Sequence, residues 1–329
     1  MEWEGADAER EKRAVTLYFV LFTVGLVTLS LGADWLVTGA SRIAAHHGVS
    51  PLIVGLTIVA FGTSAPELVV STAAAVQGRA GLAVGNVMGS TVANVGLIVG
   101  LGALVSPIMV QERLLQRETP LLVLLLFIVM AFSFNGEIGR LDGLVLVGVF
   151  IVYLVYLHRW GARGDVLAET LIEEARQKAA EAGRQYVNWI RLVFGLGLLL
   201  LGAGWLVDSA VALARMLEIP EEVIGATLVA VGTSMPELAT TVSAAARGMG
   251  DIAMGNIVGS NIFNLGLVLG TAAIAAPLRL SPFTVVAEVV PALVFCLALV
   301  PLAISHSRVS RFEGGVLLAG YAAFVYLLL

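Results

Sequence analysis

Long apolar runs separated by short breaks of Gly, Pro and charged residues follow one another from Val15 to Leu329. Each is long enough to cross the hydrocarbon core of a bilayer as a helix, which takes about 20 residues. The breaks divide them into ten predicted spans, near 14–38, 51–76, 82–105, 119–135, 141–158, 189–213, 220–246, 252–276, 282–304 and 312–329. Between the fifth and sixth lies the one extended hydrophilic stretch, residues 159–188, rich in Glu, Ala, Arg and Gln. It reads as a tether. The first apolar run is too long for a signal h-region and lacks a small-residue cleavage site, so it is read as a true first helix. The expected fold class is an all-α membrane protein.

The chain also matches itself, residue n recurring at n + 170 without a gap from Gly32 to beyond Pro107. Gly62-Thr63-Ser64 and Pro66-Glu67-Leu68 return as Gly232-Thr233-Ser234 and Pro236-Glu237-Leu238. Gly85-Asn86, Gly89-Ser90 and Asn94 return as Gly255-Asn256, Gly259-Ser260 and Asn264. The halves are therefore 1–158 and 189–329, with the repeated units at about 51–105 and 220–276 and the linker 159–188 between them. Five spans per half is an odd number, so the second half enters the membrane from the opposite side, as in the inverted repeats of secondary transporters. Of the 19 Lys and Arg, twelve fall in loops on the linker side and seven on the other. The positive-inside tendency then places the linker in the cytoplasm and both termini outside a multi-pass protein of the cell membrane.

Composition sharpens this picture. Hydrophobic residues make up 58% of the chain and charged ones 13%, so lipid rather than water is the main surrounding medium. The net charge of -5 is spread through short loops and the linker and forms no field for nucleic acid. A single cysteine, Cys296, excludes a disulfide framework or cysteine-ligated zinc within one chain. No cofactor and no obligatory protein partner is expected; the partners are the bilayer and small ions.

Glu67 and Glu237 fall deep inside the second and seventh spans, where an ionised carboxylate costs several kcal/mol unless paired or bound to a cation. No Lys or Arg stands at a matching depth. A metal ion or a proton is the remaining counter-charge. Pro66 and Pro236 lack an N–H, so each kinks its helix and frees the carbonyl four residues earlier, at Gly62 and Gly232. Thr63 and Ser64 share a helix face with Glu67, as Thr233 and Ser234 do with Glu237. Ser90 with Asn94, and Ser260 with Asn264, align four residues apart in the third and eighth spans. An all-oxygen shell of this kind suits hard cations such as Ca2+ and Na+, and offers no imidazole or thiolate for zinc, copper or iron.

Other polar residues receive plainer readings. The glycines of the third and eighth spans serve helix packing. Thr72, Thr240, Thr241 and Ser243 satisfy their own helices. His46 and His47 are solvated surface, Asp34 and Asp208 contact water near span ends, and Glu118 and Glu288 stand at span entrances. No His or Lys is placed to activate Ser64 or Ser234 and no HExxH pair occurs, which argues against an intramembrane enzyme.

With GTSxPE and GNxxGSxxxN in each half, the chain resembles the calcium/cation antiporter superfamily, nearest the sodium/calcium exchanger branch and its prokaryotic members. The resemblance implies alternating access, with spans 1 and 6 sliding past a core that holds the ion. It implies carboxylate ligation by Glu67 and Glu237, backbone carbonyls at Ala60, Thr63, Ala230 and Thr233, and side-chain oxygens at Ser64, Ser234, Ser90, Ser260, Asn94 and Asn264. Many sodium/calcium members carry Asp where this chain has Asn264, so the site here holds two formal negative charges. The expected function is Ca2+ exchange for Na+, with H+ as the alternative counter-ion and an uncoupled cation channel as the reading from another class.

Overall fold

The computed structural model describes residues 2–47, 49–160, 185–217, 230–281, 284–306 and 308–328. Most of the 159–188 linker and residues 220–229 of the expected seventh span lie outside the described residues. The first half contains α1 (Glu2–His47), α2 (Pro51–Thr63), α3 (Ala65–Val76), α4 (Ala80–Val105), α5 (Leu114–Ser133) and α6 (Arg140–Trp160). The second contains α7 (Gln185–Met216), α8 (Ala230–Thr233), α9 (Met235–Ala246), α10 (Gly250–Ala275), α11 (Val290–His306) and α12 (Arg311–Leu328). Among the described residues six helices can cross a membrane by length and apolar composition, or seven when α2 and α3, which meet at 48°, count as one broken span. The protein is a multi-pass, helical membrane protein.

Its burial runs opposite to that of a soluble domain. Bulky apolar side chains such as Val69, Leu141 and Phe134 are exposed, while Glu67, Asn94, Glu237 and Asn264 are fully buried. A surface bathed in lipid has no reason to hide Leu or Phe, whereas polar groups there must find partners inside the protein. The centre belongs to α4 and α10, whose apolar windows are 78% and 83% buried; in α1 the figure is 11%. Glycine makes that centre narrow. A Cβ on Gly55 would lie 2.9 Å from the Ile252 carbonyl oxygen, and one on Gly259 would lie 2.7 Å from the Leu56 Cα, so α2 and α10 touch backbone to backbone.

Two-residue strands tie the loops together. β1 (Ile108–Met109) pairs with β4 (Arg308–Val309), and β2 (Glu137–Ile138) pairs with β3 (Leu278–Arg279), both antiparallel. β3 is β1 displaced by the repeat offset, so each pair joins one half to the other.

α1 and α7 form a separate layer with its own packing device. Gly25, Gly32 and Gly39 recur every seventh residue, and a Cβ on each would lie 2.8, 2.3 and 2.7 Å from the backbone nitrogens of Leu206, Leu199 and Leu192. Gly195 and Gly202 answer from α7, where a Cβ would meet the nitrogens of Leu36 and Leu29 at 2.5 and 2.3 Å. Along several turns the two helices lie in backbone contact. Gly32→Val must therefore push them apart, at a cost of about 1–3 kcal/mol if the pair relaxes as a packed core does. Thermal unfolding in detergent should show a lower midpoint for that variant, while Gly148→Ala, which meets nothing within 4 Å, leaves the midpoint in place.

Candidate cation-binding site

The site begins with two broken helices. Ser64 (φ -86°, ψ 8°) and Ser234 (φ -89°, ψ 8°) leave the helical region just before Ala65-Pro66 and Met235-Pro236, and a new helix starts at the next residue. Glu67 and Glu237 thus occupy the first turns of α3 and α9, where unpaired backbone N–H groups and the helix dipole favour negative charge. The sequence predicted a proline kink; the chain goes further and ends one helix to begin another. The Ala60 carbonyl oxygen accepts the Ser64 N–H at 3.0 Å and lies 3.3 Å from Thr63 Oγ1. In the second half the Ser234 N–H reaches Val231 at 3.1 Å rather than Ala230.

Each carboxylate is held from the other half. Ser64 donates to Glu237 Oε1 at 2.8 Å, and Ser234 donates to Glu67 Oε1 at 3.4 Å. Ser234 Oγ also lies 3.1 Å from Ser90 Oγ, and Ser260 Oγ lies 3.5 Å from Glu237 Oε1 and 3.4 Å from Thr63 Oγ1. Thr233 interacts with Glu67 and Thr63 with Glu237. Glu67, Glu237, Thr63, Ser64, Ser234, Ser90 and Ser260 are thereby gathered into one cluster. Thr63, Ser64, Glu67, Glu237 and Ser260 are fully buried, with Ser90 and Ser234 at 2% exposure.

Behind this cluster stands a second layer that sequence reasoning passed over. Thr63 donates to Asn256 Oδ1 at 3.2 Å and Asn256 donates to Thr241 Oγ1 at 3.1 Å. In the other half Thr233 donates to Asn86 Oδ1 at 3.3 Å and Asn86 donates to Ser71 Oγ at 2.9 Å. These four contacts are one motif used twice. The signal was present in the repeat, since Asn86 and Asn256 stand at matching positions. Thr241, read as serving its own helix, instead orients Asn256. Asn94 donates to Asn261 Oδ1 at 2.8 Å, while neither polar atom of Asn264 has a partner among the described residues. Asn94 and Asn264 each open a wider, π-helical turn, a local geometry common at functional sites.

Glu67 Oε2 and Glu237 Oε2 are buried and carry no hydrogen bond among the described residues. A buried ionised carboxylate with an unpaired oxygen is costly, and a coordinated cation satisfies it. The donor set is oxygen throughout, and among the described residues no group of three or more His, Cys, Asp or Glu gathers. The chemistry fits a hard cation.

A cleft of about 480 Å³ reaches the cluster, lined by α3 (Ala65, Pro66, Val69, Val70), α7 and Gly232, Thr233 and Pro236. Asp208 stands in that cleft. Asp34 pairs with Arg247, which also donates to Thr38 at 2.8 Å, so it bridges α1 to the end of α9 rather than simply meeting water. Glu118, expected at a span entrance, is buried at 1% exposure beside Arg113, 3.6 Å away. His46 and His47 are exposed as expected.

The model of the family described as sodium/calcium exchanger protein matches residues 17–158 and 187–329, once in each half. A putative antiporter, CaxA of Alkalimonas amylolytica, is 39% identical over 95% of this chain and 98% of its own. The sodium/calcium exchanger MaX1 of Methanosarcina acetivorans is 35% identical over 95% and 99%. A solved structure of the sodium-calcium exchanger NCX_Mj, soaked with zero Na+ and Ca2+, superposes with a TM-score of 0.81 at 32% identity, covering 96% of this chain and all of that one. These relatives are exchangers and antiporters, not enzymes.

The two crossed serine bonds differ in length, and their removal should differ in effect. A hydrogen bond to a charged group contributes about 1.5–3 kcal/mol, so Ser64→Ala should weaken Ca2+ binding roughly tenfold to a hundredfold. The longer Ser234 contact predicts a loss of no more than about threefold for Ser234→Ala, by the steep weakening of such bonds with distance. Equilibrium 45Ca2+ binding to the purified protein checks the order, and equal losses would contradict it.

Proposed function

The chain belongs to the sodium/calcium exchanger protein family, and from that membership we propose that it exchanges Ca2+ for Na+ by alternating access at the two-glutamate site. One observation carries the reading: Glu67 and Glu237 are fully buried, each is held by a serine of the opposite half, and each keeps one oxygen free for a cation. Two carboxylates match one Ca2+ in charge, and the hydroxyl and amide oxygens around them complete a hard-cation shell. Na+ entering down its gradient competes for the same oxygens, so binding one substrate expels the other.

Ten spans in two inverted halves frame this site in the proposal. The β1–β4 and β2–β3 pairs support it, because ten alternating spans place each pair on a single face and the two pairs on opposite faces. The excess of Lys and Arg supports a cytoplasmic linker and external termini. The glycine-seamed α1–α7 pair is the moving body. The cleft lined by α3 and α7 gives the ion its route on the external side, where Asp208 lies toward the Arg215 end of α7.

Asn264 favours a second reading. With an amide there instead of a carboxylate, several Na+ ions are less well neutralised than one Ca2+, and protons arriving at the same glutamates are the alternative counter-ions. Reconstituted vesicles separate the two. An outward Na+ gradient at uniform pH is expected to drive 45Ca2+ uptake, and Glu67→Gln to abolish it. Uptake driven by a pH gradient and indifferent to Na+ would establish proton exchange, and uptake without any counter-gradient would make the protein a channel.

A further inference from the structure

The pseudo-twofold relation repeats the crossed serine–glutamate bonds and the threonine–asparagine contacts behind them, and it does not repeat the contact made by Asn94. Asn94 Nδ2 donates to Asn261 Oδ1 at 2.8 Å across the boundary between the halves. The repeat offset takes Asn94 to Asn264, but it takes Asn261 back to Thr91. Thr91 spends its hydroxyl on its own helix, donating to the Val87 carbonyl at 2.8 Å. Asn264 is left with both Oδ1 and Nδ2 buried and unpartnered among the described residues. Asn94, Thr91, Asn261 and Asn264 are all at 0% exposure, so water at the surface does not make up the difference.

An amide side chain can turn either its oxygen or its NH2 toward a neighbour, and only the oxygen can coordinate a cation. Here the Asn261 oxygen takes the Asn94 NH2, and the Asn261 Nδ2 is itself buried with no partner among the described residues. Asn94 has its NH2 held and its oxygen buried with no partner among the described residues. Asn94 and Asn264 both open a π-helical turn, so their backbones present them alike and the difference lies in the partner alone.

Resting on the two-glutamate reading above, we propose that Asn261 is a positioning residue: by holding the Asn94 NH2 it commits the Asn94 oxygen to the transported cation, leaving Asn264 as the adjustable amide of the pair. Asn261 itself need not touch the ion. Its work is to remove the wrong orientation of Asn94, which would set an N–H dipole against the positive charge.

The test exchanges the residues that break the symmetry, using the full chain in vesicles and 45Ca2+ flux. Asn261→Thr, which installs the residue found at the matching place in the first half, should raise the KM for Ca2+ about tenfold, the effect of losing one oriented ligand, and hold the maximal rate within about twofold. Asn261→Leu keeps the branched shape, removes the acceptor and carries the same expectation if the threonine variant fails to fold. Adding Thr91→Asn to Asn261→Thr gives Asn264 the missing tether and should bring KM back to within about threefold of the parent. A purely structural role for Asn261 predicts the reverse, because a second substitution in a buried core deepens the damage and lowers the maximal rate. An unchanged KM in both single variants, or a double variant no better than the single one, overturns the proposal. Full transport by Glu67→Gln would overturn the underlying two-glutamate reading instead, so the two failures are distinct.

Discussion

Two carboxylates buried in one small volume repel each other, and the rest of the structure follows from how that repulsion is contained. Each is bonded by a serine from the opposite half, so neither half can make the site alone. The crossing requires the chain to break at Ser64 and Ser234, because an unbroken helix would present the serine and the glutamate to the same neighbours. Proline two residues later enforces the break. The new helix then places its N-terminal N–H groups beside the glutamate. α2 must also approach α10 closely enough for Thr63 to reach both Asn256 and Ser260. Glycine at 55, 255 and 259 permits that approach, since any side chain there would meet backbone.

A site this tightly bonded cannot be the part that yields when ions enter and leave. In the proposed exchange cycle the yielding surface is the one between the core and the α1–α7 layer. Within that layer the helices touch through backbone atoms at Gly25, Gly32, Gly39, Gly195 and Gly202. Toward the core the layer leaves apolar clefts, including the one of about 480 Å³ that ends at Thr233. Stiff within and loosely seated without, the pair can shift over the core and leave the serine–glutamate bonds intact. The Arg247–Asp34 and Arg247–Thr38 contacts are polar ties across that seam, placed where the side chains remain partly exposed and release costs little.

How much of this was legible in the sequence depends on which contacts are local. The helical membrane class, the repeat and the glutamates were readable because bilayer length, an offset and a buried charge leave marks in one dimension. Helical spacing put Glu67, Ser64 and Thr63 on one face, but the helix breaks at Ser64 and the serine turns away from Glu67, its neighbour in sequence. It serves Glu237. No periodicity within one helix encodes a bond to the other half. The same limit hid Asn261, which sits next to Ser260 and has no amide counterpart at Thr91; a search for matching residues passes over positions where the match fails. Glu118 was placed at a span entrance because hydropathy alone cannot register that Arg113 folds over it.

The differences between the halves are of two kinds, and they have different consequences. Some are conformational: Ser64 lies 2.8 Å from Glu237 while Ser234 lies 3.4 Å from Glu67, and Thr63 is fully buried while Thr233 lines a cleft. In the proposed exchange cycle two halves related by inversion adopt each other's arrangements in turn, so one state shows one half closed and the other relaxed, and the inequality reverses when access changes sides. Other differences are written in the residues. Asn261 opposite Thr91 does not reverse with the conformation, so Asn94 stays tethered and Asn264 stays free whichever way the protein faces. A pump of opposing gradients needs the first kind to move ions at all. On the role proposed for Asn261, the second kind keeps one amide oxygen committed to the ion through both states.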